Sequence, residues 1–228
     1  MLTGIIGAMR VEIDALKGLV KDPETETVSG IEFVRGRLGS REVVIAQCGI
    51  GKVFAALCAQ TMILRFGVHR LVNVGVAGTL TEKVGLLDTV LSEAVVQHDM
   101  DTSALGDPVG MISGINMVRI PASEALLEEL AAAAERIGLA VTRGVIASGD
   151  QFIADGERKA YIRDTFDAVA CEMEGAAIGQ VCYANGVDFA VLRCISDNAS
   201  SEAGSMEYPE LCRRAAERSQ RLILEFLK

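Results

Sequence analysis

No apolar run in this 228-residue chain approaches the roughly 20 residues a helix needs to cross a bilayer, although half of its residues are hydrophobic. The opening MLTGIIGAMR lacks the basic n-region of a secretory signal, and its apolar run is too short for one. A cytoplasmic protein without membrane contact is therefore expected. Blocks of lysine or arginine are missing and the net charge is −9, which argues against a nucleic-acid backbone as partner. Histidine is scarce, with only His69 and His98. QHDMD at 97–101 offers His98, Asp99 and Asp101 to a metal. With no second histidine or cysteine nearby it reads better as a charged loop after a strand, and neither metal nor cofactor is expected. The six cysteines (Cys48, Cys58, Cys171, Cys182, Cys194, Cys212) form no C-x-x-C pair and sit in apolar contexts, as buried thiols do. So apolar a chain with a modest charged fraction also suggests surface hidden in an oligomer.

What is present alternates. Apolar β-type runs and segments of helical period follow one another from end to end, the pattern of an α/β fold in one domain, residues 1–228. LTGIIGA, HRLVNVGVAG, DTVLSEAVVQ, AVTRGVIAS and DFAVLRCIS read as strands, and IEFVRGRL and REVVIAQ as a hairpin turned by Gly39-Ser40. The first helix carries Glu12, Ala15, Leu16 and Leu19. Others cover GKVFAALCAQTMILRF, SEALLEELAAAAERIG (Ser123 as N-cap, Gly138 as stop) and the closing YPELCRRAAERSQRLILEFLK. The stretch 101–119, rich in Gly, Pro, Ser and Asp, is a long loop of the kind that serves a site or an interface.

Two glycine motifs fall short of nucleotide signatures. CGIGKVFAA lacks the P-loop spacing and has Val53 where Ser or Thr should follow Lys52; VNVGVAGTL lacks G-x-G-x-x-G. Carboxylates are more telling. ACEMEGAAIG sets Glu172 and Glu174 into a run that otherwise asks for burial, where an unpartnered carboxylate costs several kcal/mol. FAVLRCISDNAS carries Arg193 and ends a strand at Ser196-Asp197, where α/β sheets bind ligands, although Asp197 alone would serve as a cap or Asx turn. Glu12 adjoins the first strand, where it could simply favour the helix dipole. Three carboxylates near strand ends suit glycosidic cleavage: one to activate water, one to protonate the leaving group, one to bind sugar hydroxyls. Their spacing alone does not make them converge.

IIGAMRVEI, CGIGKVFAA, VGVAG, ASGDQFI, CEMEGAAI and RCISDNA occur in order and at fitting separations. Together they make the chain resemble the 5′-methylthioadenosine/S-adenosylhomocysteine nucleosidases of the nucleoside phosphorylase-like superfamily. The resemblance implies a three-layer α/β/α sandwich around a mixed twisted β-sheet, a homodimer, and a role in methionine salvage and the recycling of S-adenosylmethionine by-products. It implies Glu12 as the base that activates water and Asp197 as the acid that protonates adenine N7. It implies Glu174 on the ribose hydroxyls with Met173 packed against the sugar, and Arg193 beside that sugar site. Phe152 and the backbone of Ile153 would form the adenine slot, with Ser196 next to the base and Val76, Ala77 and Gly78 in the adjoining glycine turn. Met9, Ile50 and Tyr208 would line the ribose and alkylthio region, and Leu105 would reach the neighbouring subunit's 5′ pocket. Glu172 is then a solvent-facing or structural charge. 5′-Deoxyadenosine is a further expected substrate.

One position departs from the family pattern. Members often carry GSAG in the turn where this chain has GVAG, so Glu12 must be oriented by a donor other than a serine at Val76, or by water. Three rivals are less well supplied with residues. A purine nucleoside phosphorylase needs a phosphate site, for which Asn73 and Val76 offer no cation. AMP and futalosine call for charged 5′ contacts that the 101–119 loop does not obviously supply. A non-catalytic nucleoside-binding protein would not require both Glu12 and Asp197.

Overall fold

The computed structural model describes residues 1–197 and 208–228, so the Asn198-Ala199 end of the last motif lies outside the described residues. Ten strands follow in chain order: β1 (Thr3–Gly7), β2 (Lys21–Val28), β3 (Ile31–Leu38), β4 (Arg41–Gln47), β5 (Arg70–Thr79), β6 (Thr89–Gln97), β7 (Ile120–Pro121), β8 (Val141–Ser148), β9 (Ala168–Glu172) and β10 (Asp188–Asp197). Among the described residues six α-helices are interleaved: α1 (Arg10–Lys17), α2 (Lys52–Phe66), α3 (Glu124–Arg136), α4 (Gly156–Phe166), α5 (Gly175–Asn185) and α6 (Tyr208–Phe226). Among the described residues, no helix is long and apolar enough to cross a membrane.

β1, β5 and β10 are buried along almost their whole length, as strands covered on both faces are. β1 lies parallel between β4 and β5, and β10 runs parallel to β5. β3 turns through Gly39-Ser40 into antiparallel β4, with β2 outside it. From β5 the pairings pass to β9, β8 and β6, and β6 returns to β10, so five strands close a circuit from which β1, β4, β3 and β2 extend.

Alternation along β1 sends Ile5 and Ile6 to opposite faces, and each meets its own core. Ile6 joins the cluster under α2 and α5; Ile5 joins the one under α1, α3 and α6. This is the three-layer α/β/α arrangement around a mixed sheet. Ser123 caps α3 by accepting the Leu126 N–H. Leu19, expected within the first helix, lies beyond its end and is exposed. All six cysteines are buried free thiols.

Candidate active site

Glu12 occupies the third position of α1 and reaches back to the end of β1. Its Oε2 accepts the N–H groups of Ala8 and Met9, both at 2.8 Å, and its Oε1 accepts the N–H of Val76 at 3.0 Å. With valine in the GVAG turn, the donors to Glu12 are all main-chain N–H groups, one of them from that turn. Gly75 makes that approach possible: a Cβ there would stand 2.6 Å from Glu12 Oε1 and 3.2 Å from Arg193 Nη1. Burial raises the Glu12 pKa above its ordinary value, against the opposing pull of Arg193 and the three N–H donors.

The two glutamates of the second motif have different partners. Glu172 is buried, not solvent-facing. Its carboxylate accepts the N–H of Glu174 at 3.1 Å and of Gly175 at 2.8 Å, takes the Ser148 hydroxyl, and pairs with Arg193. It thereby satisfies the first donors of α5, with Ser148 Oγ accepting from Ala176 at 2.7 Å. Glu172 is the structural charge of the pair. Glu174, next along, accepts the Gly51 N–H at 2.8 Å through Oε1, while its Oε2 stays 3.8 Å from Arg193. Burial, then repulsion from Glu172, raises its pKa to about 7 despite Arg193.

Arg193 does not line the cavity; it sits behind the carboxylates, fully buried, bonded also to Asn73 and to the Leu192 carbonyl at 3.2 Å. Expected beside a sugar site, it reaches the cavity only through Glu172, with Glu174 3.8 Å away. Removing one partner from such a buried pair costs about 3–5 kcal/mol, because the other charge is left uncompensated.

Asp197 ends β10. The register passes from Ile195 opposite Ala77 directly to Asp197 opposite Gly78, so Ser196 is the extra residue of a bulge that re-aims the aspartate. Gly78 in turn faces Cys171 of β9, which brings the ends of three strands together. Asp197 Oδ1 is buried with no hydrogen-bond partner among the described residues. Burial raises this carboxyl's pKa, with the Lys159 charge opposing.

These strand ends line a half-open cavity, a concave site of the kind that takes a small molecule, with about 630 Å³ of space that includes its mouth to solvent. Glu12, Glu174 and Asp197 all line it, together with Met9, Ile50, Val76, Ala77, Gly78, Phe152, Ile153, Met173, Ser196 and Tyr208. Phe152 and Tyr208 meet edge to face at its rim, centroids 6.1 Å apart. Leu105 lies elsewhere, 85 % exposed. Ala8 and Gln151 also line the cavity and were not singled out from sequence, although each is a direct neighbour of a residue that was; Cys171 and Glu172, read there as a buried thiol and a structural or solvent-facing charge, line it too. No lysine or arginine among the described residues lines it. Nor does any group of His, Cys, Asp and Glu among them have the arrangement of a metal centre.

The model of the phosphorylase superfamily matches residues 3–228. The 5′-methylthioadenosine/S-adenosylhomocysteine nucleosidase of Geobacillus kaustophilus is 38 % identical over 229 residues, covering 100 % of this chain and 97 % of its own. A mutant of the Helicobacter pylori nucleosidase of the same name, solved with 5′-methylthioadenosine in its active site, is 37 % identical with a TM-score of 0.92, covering 98 % of this chain and 96 % of its own. A futalosine hydrolase of Helicobacter pylori is 38 % identical with a TM-score of 0.92, covering 99 % and 97 %.

Proposed function

Because the chain belongs to the 5′-methylthioadenosine/S-adenosylhomocysteine nucleosidases of the phosphorylase superfamily, we propose that Glu12, Asp197 and Glu174 divide that family's reaction among them. The reaction is hydrolysis of the N-glycosidic bond of either nucleoside, releasing adenine and the 5′-thio-substituted ribose. Glu12 takes the proton of the attacking water. Its three N–H donors fix the carboxylate, while burial keeps it basic enough to accept that proton. Asp197, whose burial favours the neutral acid, gives its proton to N7 as adenine leaves. Glu174 accepts the ribose hydroxyls. Phe152 stacks on the base, the main chain of Ile153 reads its edge, and Met9, Ile50, Met173 and Tyr208 surround the sugar and thioalkyl group.

The observation that carries this reading is the convergence of Glu12 and Glu174, both buried, and the half-buried Asp197 on one cavity with no cation among its described lining residues. A phosphate nucleophile would find no cation to pair with among the described lining residues. The 5′ group of methylthioadenosine is uncharged and that of S-adenosylhomocysteine carries its own ammonium beside its carboxylate, whereas the carboxylated aryl group of futalosine would find no cation among the described lining residues. Initial rates on methylthioadenosine, S-adenosylhomocysteine, 5′-deoxyadenosine and futalosine test it. The first three should be cleaved with comparable kcat, and futalosine with kcat/KM at least tenfold lower; a preference for futalosine would overturn the assignment of the 5′ pocket.

A homodimer completes the proposal. α2 is apolar almost all round, and its outer face leaves Val53, Phe54, Leu57 and Leu64 exposed beside Ile50, a stripe that a second copy would cover. Leu105, equally exposed, would then reach the copy's 5′ pocket. Sedimentation of Phe54→Glu/Leu57→Glu should show a monomer with reduced activity. An unchanged dimer would place the interface elsewhere.

A further inference from the structure

Two stretches that invited chemistry in the sequence, CGIGK and QHDMD, are joined to each other. Lys52 Nζ donates to Asp99 Oδ1 at 2.6 Å, and to Gln97 Oε1 at 3.1 Å. The Lys52 N–H donates to Asp150 Oδ1 at 2.8 Å, and the Asp150 N–H returns to Asp99 Oδ2 at 2.9 Å. Lys52, Asp150 and Asp99 thus form a closed ring in which each residue is bonded to the other two. The Lys52 and Asp99 side chains are mostly shielded, at 19 % and 17 % exposure.

Two members of the ring adjoin different walls of the cavity, and the third opens the neighbouring loop. Lys52 follows Gly51, whose N–H holds Glu174 at 2.8 Å. Asp150 precedes Gln151 and Phe152, at the base end. Asp99 opens the loop that carries Leu105. Beneath it, His98 packs so closely under Gly149 that a Cβ there would run into the imidazole, which leaves the 149–153 segment little room to shift independently.

We propose that Lys52 and Asp99 are positioning residues. Their ring sets the Gly51 N–H that aims Glu174, and the loop that presents Phe152, at a fixed separation, so that the ribose and base contacts form together. This rests on the reading of the cavity as a nucleoside site. Neither residue touches the cavity, so both act through Gly51 and Asp150.

Asp99→Asn cannot accept both bonds with full charge, and Lys52→Met removes the ammonium. Hydrogen–deuterium exchange on the free proteins should show amides of 50–52 and 149–153 exchanging at least tenfold faster in either variant, although Asp99 lies in neither segment. Acceleration confined to the substituted segment would overturn the proposal, whatever the enzyme's substrate. In steady state, KM for methylthioadenosine should rise about tenfold with kcat changed far less, the pattern of lost uniform binding. The double variant should be no worse than either single one, because the ring acts as a unit. Unchanged KM in folded variants, or additive losses, would contradict it. Failure of wild-type enzyme to cleave the nucleoside would count against the functional reading, and the exchange result would still decide the ring.

Discussion

Asp197→Asn should lower kcat on methylthioadenosine by about 10³-fold while leaving KM within a few-fold, since a general acid contributes about 10²–10⁴ in rate. Asparagine keeps the shape of the side chain at the bulge opposite Gly78 but has no acidic proton to deliver to N7. The carboxyl it replaces is half-buried, and its Oδ1 is unpartnered among the described residues, a setting that favours the protonated form and leaves the acid free for a ligand. A nucleoside analogue whose leaving group departs without protonation should lose far less than methylthioadenosine does. Equal losses on both substrates would assign Asp197 to architecture, and full turnover on methylthioadenosine would remove it from the reaction.

Glu12→Gln should cost a similar factor for a different reason. The amide cannot act as a base, and its NH₂ group must face at least one of the N–H donors that now hold the carboxylate at 2.8–3.0 Å. The pH dependence follows from the direction of the shifts. Glu12 must be ionised to accept a proton, and burial raises its pKa, so activity should fall on the acid side at a pH above the ordinary carboxylate value of about 4.3. Glu174 contributes to the same limb with its pKa near 7, because the ionised form is the better acceptor for two hydroxyls. Asp197 must be protonated, so its raised pKa extends the working range upward before activity falls on the alkaline side. Activity should therefore be limited on the acid side by Glu12 and Glu174 and on the alkaline side by Asp197. In Glu12→Gln the residual rate should retain only the part of the acid limb that belongs to Glu174. A wild-type kcat/KM flat from pH 4 to 7 would contradict both carboxylate assignments.

The strands that build the site were the easiest to read from sequence, because burial on both faces demands unbroken apolar runs. β1, β5 and β10 lie where LTGIIGA, HRLVNVGVAG and DFAVLRCIS placed them. β2 was not legible. KDPETETV has neither alternation nor apolar character, and it pairs only at the sheet's edge, where charge and proline are tolerated. The convergence of Glu12, Glu174 and Asp197 was suggested by motif order, but it is made by pairings between strands far apart in the chain.

Two features left open by the sequence are closed by the fold for a common reason. Val76 looked like a loss because its side chain has no donor, yet the donor is its backbone N–H, which every residue but proline carries. Glu172 and Glu174 look alike in the sequence. They differ because Glu172 is taken up by the first N–H groups of α5 and by Arg193, whereas Glu174, on the same cavity, accepts the Gly51 N–H and stands 3.8 Å from Arg193. Side-chain identity shows which groups are available, and only the fold shows which of them are already satisfied.

The central claim is that water, activated by Glu12, is the nucleophile in a cavity whose described lining holds no cation. Its most direct test is cleavage of methylthioadenosine in ¹⁸O-labelled water, with and without phosphate, and product analysis by chromatography and mass spectrometry. Adenine and methylthioribose carrying one ¹⁸O, formed at a rate indifferent to phosphate, is the predicted result. Methylthioribose 1-phosphate, formed only when phosphate is present, would contradict it.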